Sequence, residues 1–423
     1  MKSIDETTKH RYGTVNFERR KHPRVNIDLP VEYYQVDSTT HHHWDKFRLT
    51  GPKDRFTREL IQSRILDDHG AVYSFKYKYL YYYFVARYMR DNISESDVTE
   101  TLKNIITNLH REDFANIIIF LSYLSRDRNL IDNILSTARQ IFPETPPCNL
   151  EDHVDFLNRL METVPQILLP DGDPTERRKQ ALRNLDIERE NDRSSKTTSY
   201  TETVDDESQK KEIDEMMTFN RAFKSMQIMG QILRNFSGSL KGTQKEELVV
   251  ECFSVGLRSL NALFGLLEKH VDNIIIHFSD FLGKNLEEMP QEKRIKTAKG
   301  LLFFLTELLC LGTIKRISFA VGSERLIPTY DDVQKIYDNV ATEFVQTEIR
   351  MDHSPQFPEK RVLELKKKVG KNIFGETLLR MLVADHFYLF LRSYRVRQRV
   401  CQKLGIKPTK KMLTGSAQTK RKD

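Results

Sequence analysis

The sequence predicts a mainly α-helical protein, with two helical blocks behind a short β-containing N-terminal region. Apolar residues recur at helical spacing over most of residues 94–404. A highly charged stretch at 170–212 interrupts this pattern and separates the two blocks. Strand-like patterns occur only in the N-terminal part, at 25–36 and 72–77. Paired helices of this kind could stack as a solenoid, although no fixed-period repeat is visible.

The N-terminal region begins with a strand pattern. Residues 25–36, V-N-I-D-L-P-V-E-Y-Y-Q-V, alternate apolar and polar side chains, and Pro30 makes this an edge or bulged strand because proline lacks a ladder donor. Residues 56–66 have helical spacing, and D-D-H-G ending at Gly70 predicts a turn before the strand at 72–77. This order of helix, turn, short strand and helix is typical of a small winged-helix unit.

The first helical block starts with a capped helix. Ser94 or Ser96 can cap it, and Asp97 lies in the first turn, where the helix dipole favours an anion. Further helices are expected at 114–124, 129–141 and 150–167. The charged stretch at 170–212 has too few large apolar groups to offset its ordering entropy, so it is either a linker or a solvated charged helix.

The second block contains most of the long apolar segments, which predict helices at 223–236, 246–270, 273–282, 294–311, 331–349 and 373–404. Its longest apolar stretch, residues 300–312, carries Glu307 and is too short to span a bilayer. This stretch therefore predicts a buried helix, and no membrane span is expected.

Composition limits the classes of function. The 423 residues include 67 Lys or Arg and 60 Asp or Glu, and the resulting charge of +7 is dispersed, so nucleic acid is not an expected partner. The four cysteines form no C-x-x-C pair, as expected of buried thiols in a reducing compartment. The N-terminus shows no apolar signal-peptide core. We expect a cytoplasmic protein.

No catalytic signature is present in the sequence. The motifs G-x-x-x-x-G-K-[ST], G-x-S-x-G and H-E-x-x-H are missing, and G-S-L-K-G-T at 238–243 lacks the Gly-Lys-Ser/Thr end of a P-loop. His41, His42 and His43 could ligate zinc or nickel, but three consecutive side chains rarely converge on one ion, which favours a solvated loop. We therefore expect no enzymatic activity, no catalytic residue, no metal and no cofactor.

Other residues have a functional and a structural interpretation. The tyrosines at 79–83 could stack on bases, but the neighbouring apolar pattern favours packing in the core. His386 is interpreted as a core or interface histidine. The basic runs at 395–399 and 407–411 could contact anions, although a solvated helix end explains them as well.

Arg20 and Arg24 form an R-x-x-x-R pair directly before the strand at 25–36. Guanidinium groups at this spacing can bind a phosphate from two sides. R-R-K-H-P-R followed by V-N-I-D-L-P-V resembles the start of a PilZ domain, the bacterial receptor module for cyclic di-GMP. The resemblance implies that Arg20 and Arg24 bind this dinucleotide. The second PilZ motif, [D/N]-x-S-x-x-G, is missing, since N-I-S-E-S-D at 92–97 has Asp97 in place of glycine. A flexible basic arm is the alternative.

A second resemblance covers residues 50–412. Y-S-F-K-Y-K-Y-L-Y-Y-Y-F-V-A-R-Y-M-R-D-N-I at 73–93 resembles the segment after the NTPase core of bacterial STAND ATPases, where a winged-helix wing leads into a helix. The resemblance continues with F-A-N-I-I-I-F-L-S-Y-L-S-R-D at 114–127, G-Q-I-L-R-N-F-S-G-S-L-K at 230–241 and L-L-R-M-L-V-A-D-H-F-Y-L-F at 378–390. STAND proteins are signalling switches that combine an NTPase module with a sensor or oligomerisation region.

The chain lacks the P-loop, Walker B and sensor positions of that family. The resemblance implies a non-enzymatic sensor or protein-interaction module whose partner is an NTPase subunit or a second copy. The alternatives are a cyclic di-GMP receptor and, ranked last, a nucleic-acid binder using the winged-helix unit. The predicted parts are a PilZ-like fragment (1–48), a winged-helix remnant (49–91), two helical blocks (92–170 and 213–406), a charged linker (171–212) and a basic tail (407–423).

Overall fold

The computed structural model describes residues 53–68, 73–125, 128–170, 172–195, 207–236, 242–285, 289–390 and 392–408, together with 238 and 240. Fifteen α-helices and four strands of two or three residues occur in these ranges, which confirms the mainly α-helical fold. The chain divides into two compact units between Leu80 and Tyr81. The predicted strand at 25–36 lies outside the described residues.

The first unit contains a helix followed by a β-hairpin: α1 (Lys53–Gln62), β1 (Leu66–Asp68) and β2 (Tyr73–Phe75). The strands are antiparallel, with Leu66 opposite Phe75, and Lys76 Nζ lies 3.1 Å from Asp67 Oδ1. The helix expected through Leu66 ends four residues earlier. Arg64 adopts a φ of +58°, which turns the chain out of the helix and into the hairpin.

The division between the units falls inside α2 (Lys78–Asp91), and the second unit contains the remaining elements. They are α3 (Ser96–Thr107), α4 (Glu112–Leu124), α5 (Arg128–Arg139), α6 (Asp155–Asn158), β3 (Leu168–Leu169), α7 (Pro174–Ser195), α8 (Glu207–Phe236), α9 (Gly242–Asn285), α10 (Gln291–Val321), α11 (Ile327–Ile336), α12 (Val340–His353), α13 (Glu359–Val369), α14 (Ile373–Leu389), α15 (Tyr394–Leu404) and β4 (Lys407–Pro408).

Both predicted helical blocks contribute to one hydrophobic core in the second unit, with members from Tyr82 to Ile406. Backbone hydrogen bonds join the blocks directly. The Cys148 amide donates to the Leu257 carbonyl at 3.0 Å, and the Ala341 amide donates to the Asn149 carbonyl at 3.1 Å. The segment after α5 is therefore attached to helices that lie more than a hundred residues further along the chain.

A buried arginine also connects the two blocks. Arg258 Nη2 lies 2.7 Å from Glu251 Oε1, and both residues belong to α9. Arg258 also donates to the carbonyl oxygens of Ala138 and Ile141, at 2.9 Å and 3.0 Å, and so contacts the carboxyl end of α5 and the turn that follows it. Burial raises the pKa of Glu251, and hydrogen bonding to Arg258 opposes this shift.

In the second unit, helix α10 packs against α8, α9, α12 and α14. Its contact with α8 is unusually close. A Cβ atom placed on Gly230 of α8 would lie 2.1 Å from the Ala320 carbonyl oxygen of α10. Only glycine permits this approach of the two backbones.

The helix expected at 150–167 was a wrong prediction. A 3₁₀ turn (Asp152–Val154) and the short α6 are followed by irregular chain and by β3, which pairs in parallel with β4. Leu150 has a φ of +59°, which a helix cannot accommodate, and its carbonyl accepts a hydrogen bond from Asn372 Nδ2 at 2.8 Å. Local geometry and a distant partner therefore override the helical pattern.

Several helix boundaries also differ from the prediction. The helices expected at 246–270 and 273–282 form the single helix α9, whereas the segments 331–349 and 373–404 each divide into two helices. The first of these breaks is explained by Asn339, whose side chain accepts a hydrogen bond from the Thr342 amide at 2.8 Å and caps α12. Within the charged stretch, Pro174–Ser195 forms helix α7.

Among the described residues, two helices are long and apolar enough to cross a membrane by length and composition alone: α9 and α10. In α9, 72% of the most apolar 18-residue segment is buried inside the protein, as is usual for a core helix. In α10 the buried share is 44%. A large part of this helix is therefore not covered by the fold.

The close contact between α8 and α10 gives a stability prediction. Gly230→Ala is expected to lower the free energy of unfolding by about 1–3 kcal/mol, because the new methyl group collides with backbone. Gly265→Ala in α9 is the matched control, since no atom lies within 4 Å of its added Cβ. The control should be neutral or gain up to about 1 kcal/mol from helix propensity. Urea unfolding measures both, and equal stability of Gly230→Ala and wild type would contradict the close approach.

Candidate functional site

The residues that the sequence marks for ligand binding lie outside the described part of the chain. This applies to Arg20 and Arg24, and also to the three histidines at 41–43. The cyclic di-GMP interpretation therefore stays a prediction. Among the described residues, no group of three or more His, Cys, Asp or Glu side chains is arranged to hold a metal ion.

Three of the structural interpretations can be compared with the structure. Tyr82 is 8% exposed and belongs to the core, whereas Tyr79 is 44% exposed, so the tyrosine cluster is only partly buried. His386 is buried, and its ring stacks on Phe390 with centroids 4.7 Å apart, which confirms a core histidine. In the basic run at 395–399, Arg399 Nε donates to Glu359 Oε1 at 2.8 Å.

The outer face of α10 exposes a continuous row of large apolar side chains, which we call the apolar stripe. Each member is between 38% and 57% exposed: Leu301, Phe304, Leu305, Leu308, Leu309 and Phe319. Residues 297–319 are all described, and Arg316 is the one exposed charged residue among them. Its guanidinium lies over the Phe223 ring, 4.4 Å from the centroid, and so points to one side of the stripe.

Two glycines form notches beside these bulky side chains. Gly300, Phe304, Leu308 and Gly312 follow one another at four-residue intervals and therefore share one side of the helix. No heavy atom lies within 4 Å of a Cβ placed on either glycine. A glycine inside a helix costs about 1 kcal/mol relative to alanine, and the open space shows that packing within this chain does not require either one.

The inner face of α10 is covered by neighbouring helices and mixes apolar with polar side chains. Phe303, Ile314 and Ile317 are buried there among the neighbouring helices. Glu307 is also fully buried, and neither of its carboxyl oxygens has a hydrogen-bond partner. Burial raises the pKa of Glu307 well above its usual range, because the buried site disfavours the charged carboxylate.

The expectation that residues 300–312 form a buried helix is therefore wrong for half of the helix surface. The sequence shows apolar residues all round, which usually indicates burial all round. Within the part of the chain that the structure describes, however, helices pack against one side of α10 only. The other side remains exposed.

A cluster of charged residues holds α10 against α12 and α14. Lys315 Nζ lies 3.1 Å from Glu348 Oε1 of α12 and also forms an ion pair with Asp385 of α14. Burial disfavours the Lys315 ammonium, but the two carboxylates outweigh it and raise the pKa of Lys315 above its usual value. Glu348 is buried, which raises its pKa to about 7 despite the nearby lysine.

The same cluster continues along α14. Arg392 Nε donates to His386 Nε2 at 3.1 Å, so the ring proton of neutral His386 lies on Nδ1, which is 3.4 Å from Asp352 Oδ1. Burial lowers the pKa of His386 to about 4. Arg392 also donates to the Met351 carbonyl at 2.7 Å. These contacts join three helices, with Glu348 and His386 buried and the side chains of Lys315 and Asp385 about one-third exposed.

Comparison with known families gives one result. Residues 30–85 match the family model described as Novel STAND NTPase 4. No curated protein and no solved structure matches the chain. The matched segment contains α1, the hairpin and the start of α2, and it overlaps the sequence at 73–93 that resembles STAND proteins. It supports a STAND relation for this part of the chain but gives no support to a PilZ or a winged-helix assignment.

The matched residues do not include the apolar stripe or the charge cluster. Sequence reasoning missed both. The available signal for the stripe was the segment G-L-L-F-F-L-T-E-L-L-C-L-G, which places apolar residues on all sides of one helix. A helix that packs on one side needs apolar residues on that side only. The charge cluster had no local signal, because its members come from three separate helices.

The charge cluster predicts how pH affects one substitution. Because the folded-state pKa of Glu348 is raised, its contribution to stability is present below about pH 4.5 and is lost as the pH rises through about 7. Glutamine does not titrate. The destabilisation caused by Glu348→Gln should therefore be largest near pH 5 and shrink by up to about 3 kcal/mol by pH 8. The other titratable groups of the cluster are unchanged in this variant: Lys315, Asp352, Asp385 and His386.

Urea unfolding at several pH values measures this effect. Glu246→Gln serves as the control, because it removes a carboxylate from an exposed position outside the cluster and outside the stripe. A difference between Glu348→Gln and wild type that stays constant from pH 5 to pH 8, or that grows with pH, would contradict the assigned ionisation of Glu348.

Proposed function

We propose that this chain is a non-enzymatic protein-interaction or sensor module of STAND-type signalling, and that it binds a protein partner through the apolar stripe of α10. The stripe is the observation that carries the proposal. Monomeric proteins rarely expose contiguous apolar patches larger than a few hundred Å², and larger ones mark interaction sites. The similarity of residues 30–85 to STAND NTPases supports the signalling context.

The size of the stripe indicates what kind of binding it supports. Fully burying one Leu or Phe side chain contributes about 1.5–3 kcal/mol, so covering the exposed parts of the six stripe residues contributes on the order of 5 kcal/mol. Association costs at least about 4 kcal/mol in lost translational and rotational freedom. The stripe can therefore form the centre of an interface, and polar contacts around it must supply the remaining affinity.

The surroundings of the stripe are suited to this role. Lys293 and Lys296 are exposed near the amino end of α10 and can form the polar rim that surrounds most apolar interface centres. The missing nucleotide-site motifs favour an NTPase subunit or another copy of the chain as the partner. All four cysteines are free and buried, which agrees with a cytoplasmic location.

A pair of charge substitutions tests the proposal in the full-length chain. Phe304→Glu with Leu308→Glu places two carboxylates in the stripe at positions that are already exposed, so the fold should persist while partner binding is lost. The matched control is Ile276→Glu with Phe281→Glu on α9, where the side chains are 55% and 65% exposed. Affinity capture followed by mass spectrometry should show partners lost from the first variant and retained by the control.

Two outcomes would contradict the proposal. One is equal capture of partners by the stripe variant and the control, with both folded by circular dichroism. The other is robust ATP turnover by the purified wild-type chain, since the proposed module has no nucleotide site of its own.

A second candidate function, binding of cyclic di-GMP, rests on the R-x-x-x-R pair of Arg20 and Arg24. If these guanidinium groups hold the dinucleotide, calorimetry should detect micromolar binding that Arg20→Ala with Arg24→Ala abolishes. Arg19→Ala with Lys21→Ala is the control, because it removes the same charge from the same arm. Absence of heat with wild type, or equal loss in both double variants, would leave a basic arm without a specific site.

A further inference from the structure

We infer that the occupant of the apolar stripe is the same stripe of a second copy of this chain, packed antiparallel about a two-fold axis beside Leu308. The inference rests on the proposed docking role of the stripe and adds the identity of the partner. Closed two-fold dimers bring the same surface of both copies together, so such a surface must be complementary to itself.

The order of large and small residues along α10 meets this condition. Leu308 lies midway between Thr297 and Phe319, both of which are exposed. An antiparallel pair of helices with its axis at Leu308 sets Phe304 of one copy against Gly312 of the other, and Phe319 against Thr297. Each contact occurs twice by symmetry. Bulky side chains thus face small ones, which allows two helix surfaces to interdigitate.

The notch at Gly312 favours a helical partner over a lipid surface. A helix packed against α10 can place an aromatic ring in the open space above this glycine. A membrane gains nothing from a missing side chain at this position, and a leucine there would increase the apolar contact with lipid. The cost of about 1 kcal/mol for a glycine inside the helix is offset only when another backbone or ring occupies the notch.

Charge complementarity at the ends of the helix supports the antiparallel direction. Lys293 and Lys296 are exposed near the amino end of α10, where the positive end of the helix dipole disfavours cations. In the antiparallel pair they lie beside the carboxyl end of the other copy's helix, where the dipole is negative. Exposed Glu324 and exposed Arg325 follow that end, so the helix dipole and Glu324 favour the lysines while Arg325 opposes them. A parallel pair would instead bring the four lysines together.

The available area indicates a reversible dimer. A helix of 31 residues is about 46 Å long and about 10 Å wide, so one face offers on the order of 500 Å². Stable interfaces bury about 800 Å² on each partner. Flanking residues must supply the difference, and the dimer is therefore expected to dissociate on dilution.

Sedimentation velocity on the full-length protein over a range of concentrations tests the inference. Wild type should pass from monomer to dimer as the concentration rises. Gly312→Leu should weaken the dimer about tenfold or more, because the new side chain fills the notch that Phe304 of the other copy enters. It should fold normally, since nothing lies within 4 Å of the added Cβ.

Gly265→Leu is the matched control, because this glycine lies equally open on α9 and outside the stripe. It should dimerise like wild type. The inference is overturned if wild type is monomeric at every concentration, or if Gly312→Leu and Gly265→Leu dimerise equally well.

Disulfide cross-linking tests the register. The four native cysteines are buried. A single cysteine introduced on the outer face of α10 is therefore the one accessible thiol among the described residues. Leu308→Cys should cross-link two copies under mild oxidation, because the axis passes beside it. Phe319→Cys alone should not, since its two copies lie about 33 Å apart across the axis, but it should cross-link to Thr297→Cys in a mixture. Self-cross-linking of Phe319→Cys would indicate a parallel pair and overturn the inference.

The results also separate the inference from the proposed function. If wild type stays monomeric while the variant Phe304→Glu, Leu308→Glu still loses a captured protein, the second copy is the wrong occupant and the docking surface stands. If that variant loses neither self-association nor a partner, both the inference and the proposed function fail. Binding of wild type to vesicles of phosphatidylcholine and phosphatidylserine, lost in the same variant, would assign the stripe to a membrane instead.

Discussion

The contact between α8 and α10 at Gly230 is the constraint on which the rest of the second unit depends. Because Gly230 has no side chain, the two backbones approach closely at the Ala320 carbonyl. Lys315, ion-paired with Glu348 and Asp385, attaches α12 and α14 to the same helix. These attachments orient the inner face of α10 toward its four neighbours, and the outer face is left exposed as a consequence.

Helix α10 does not have the composition expected of a helix selected only for the stability of one isolated chain. Glu307 is buried without a hydrogen-bond partner, Gly300 and Gly312 weaken the helix, and six large apolar side chains contact water. The glycines and the exposed apolar residues have a physical purpose if the outer face is covered by another helix. Glu307 has no such explanation, because it points into the core.

The parts of the fold that local sequence determines could be predicted, and the parts that distant contacts determine could not. Helical periodicity predicted the existence of most helices. It missed the break before α12, which depends on the Asn339 cap, and the irregular segment after Leu150, which depends on a left-handed residue and on Asn372. The STAND resemblance at 73–93 overlaps the family match at 30–85. Periodicity could not reveal the stripe, because an apolar helix has the same pattern whether one side or both are covered.

The central claim is that the outer face of α10 becomes covered when the protein associates. Hydroxyl-radical footprinting of the full-length chain at low and high protein concentration tests it most directly. The claim predicts that oxidation of Phe304 and Phe319 slows as the concentration rises, while oxidation of Phe281, which is 65% exposed on α9, stays unchanged. Equal oxidation of Phe304 at both concentrations, or equal protection of Phe304 and Phe281, would contradict it.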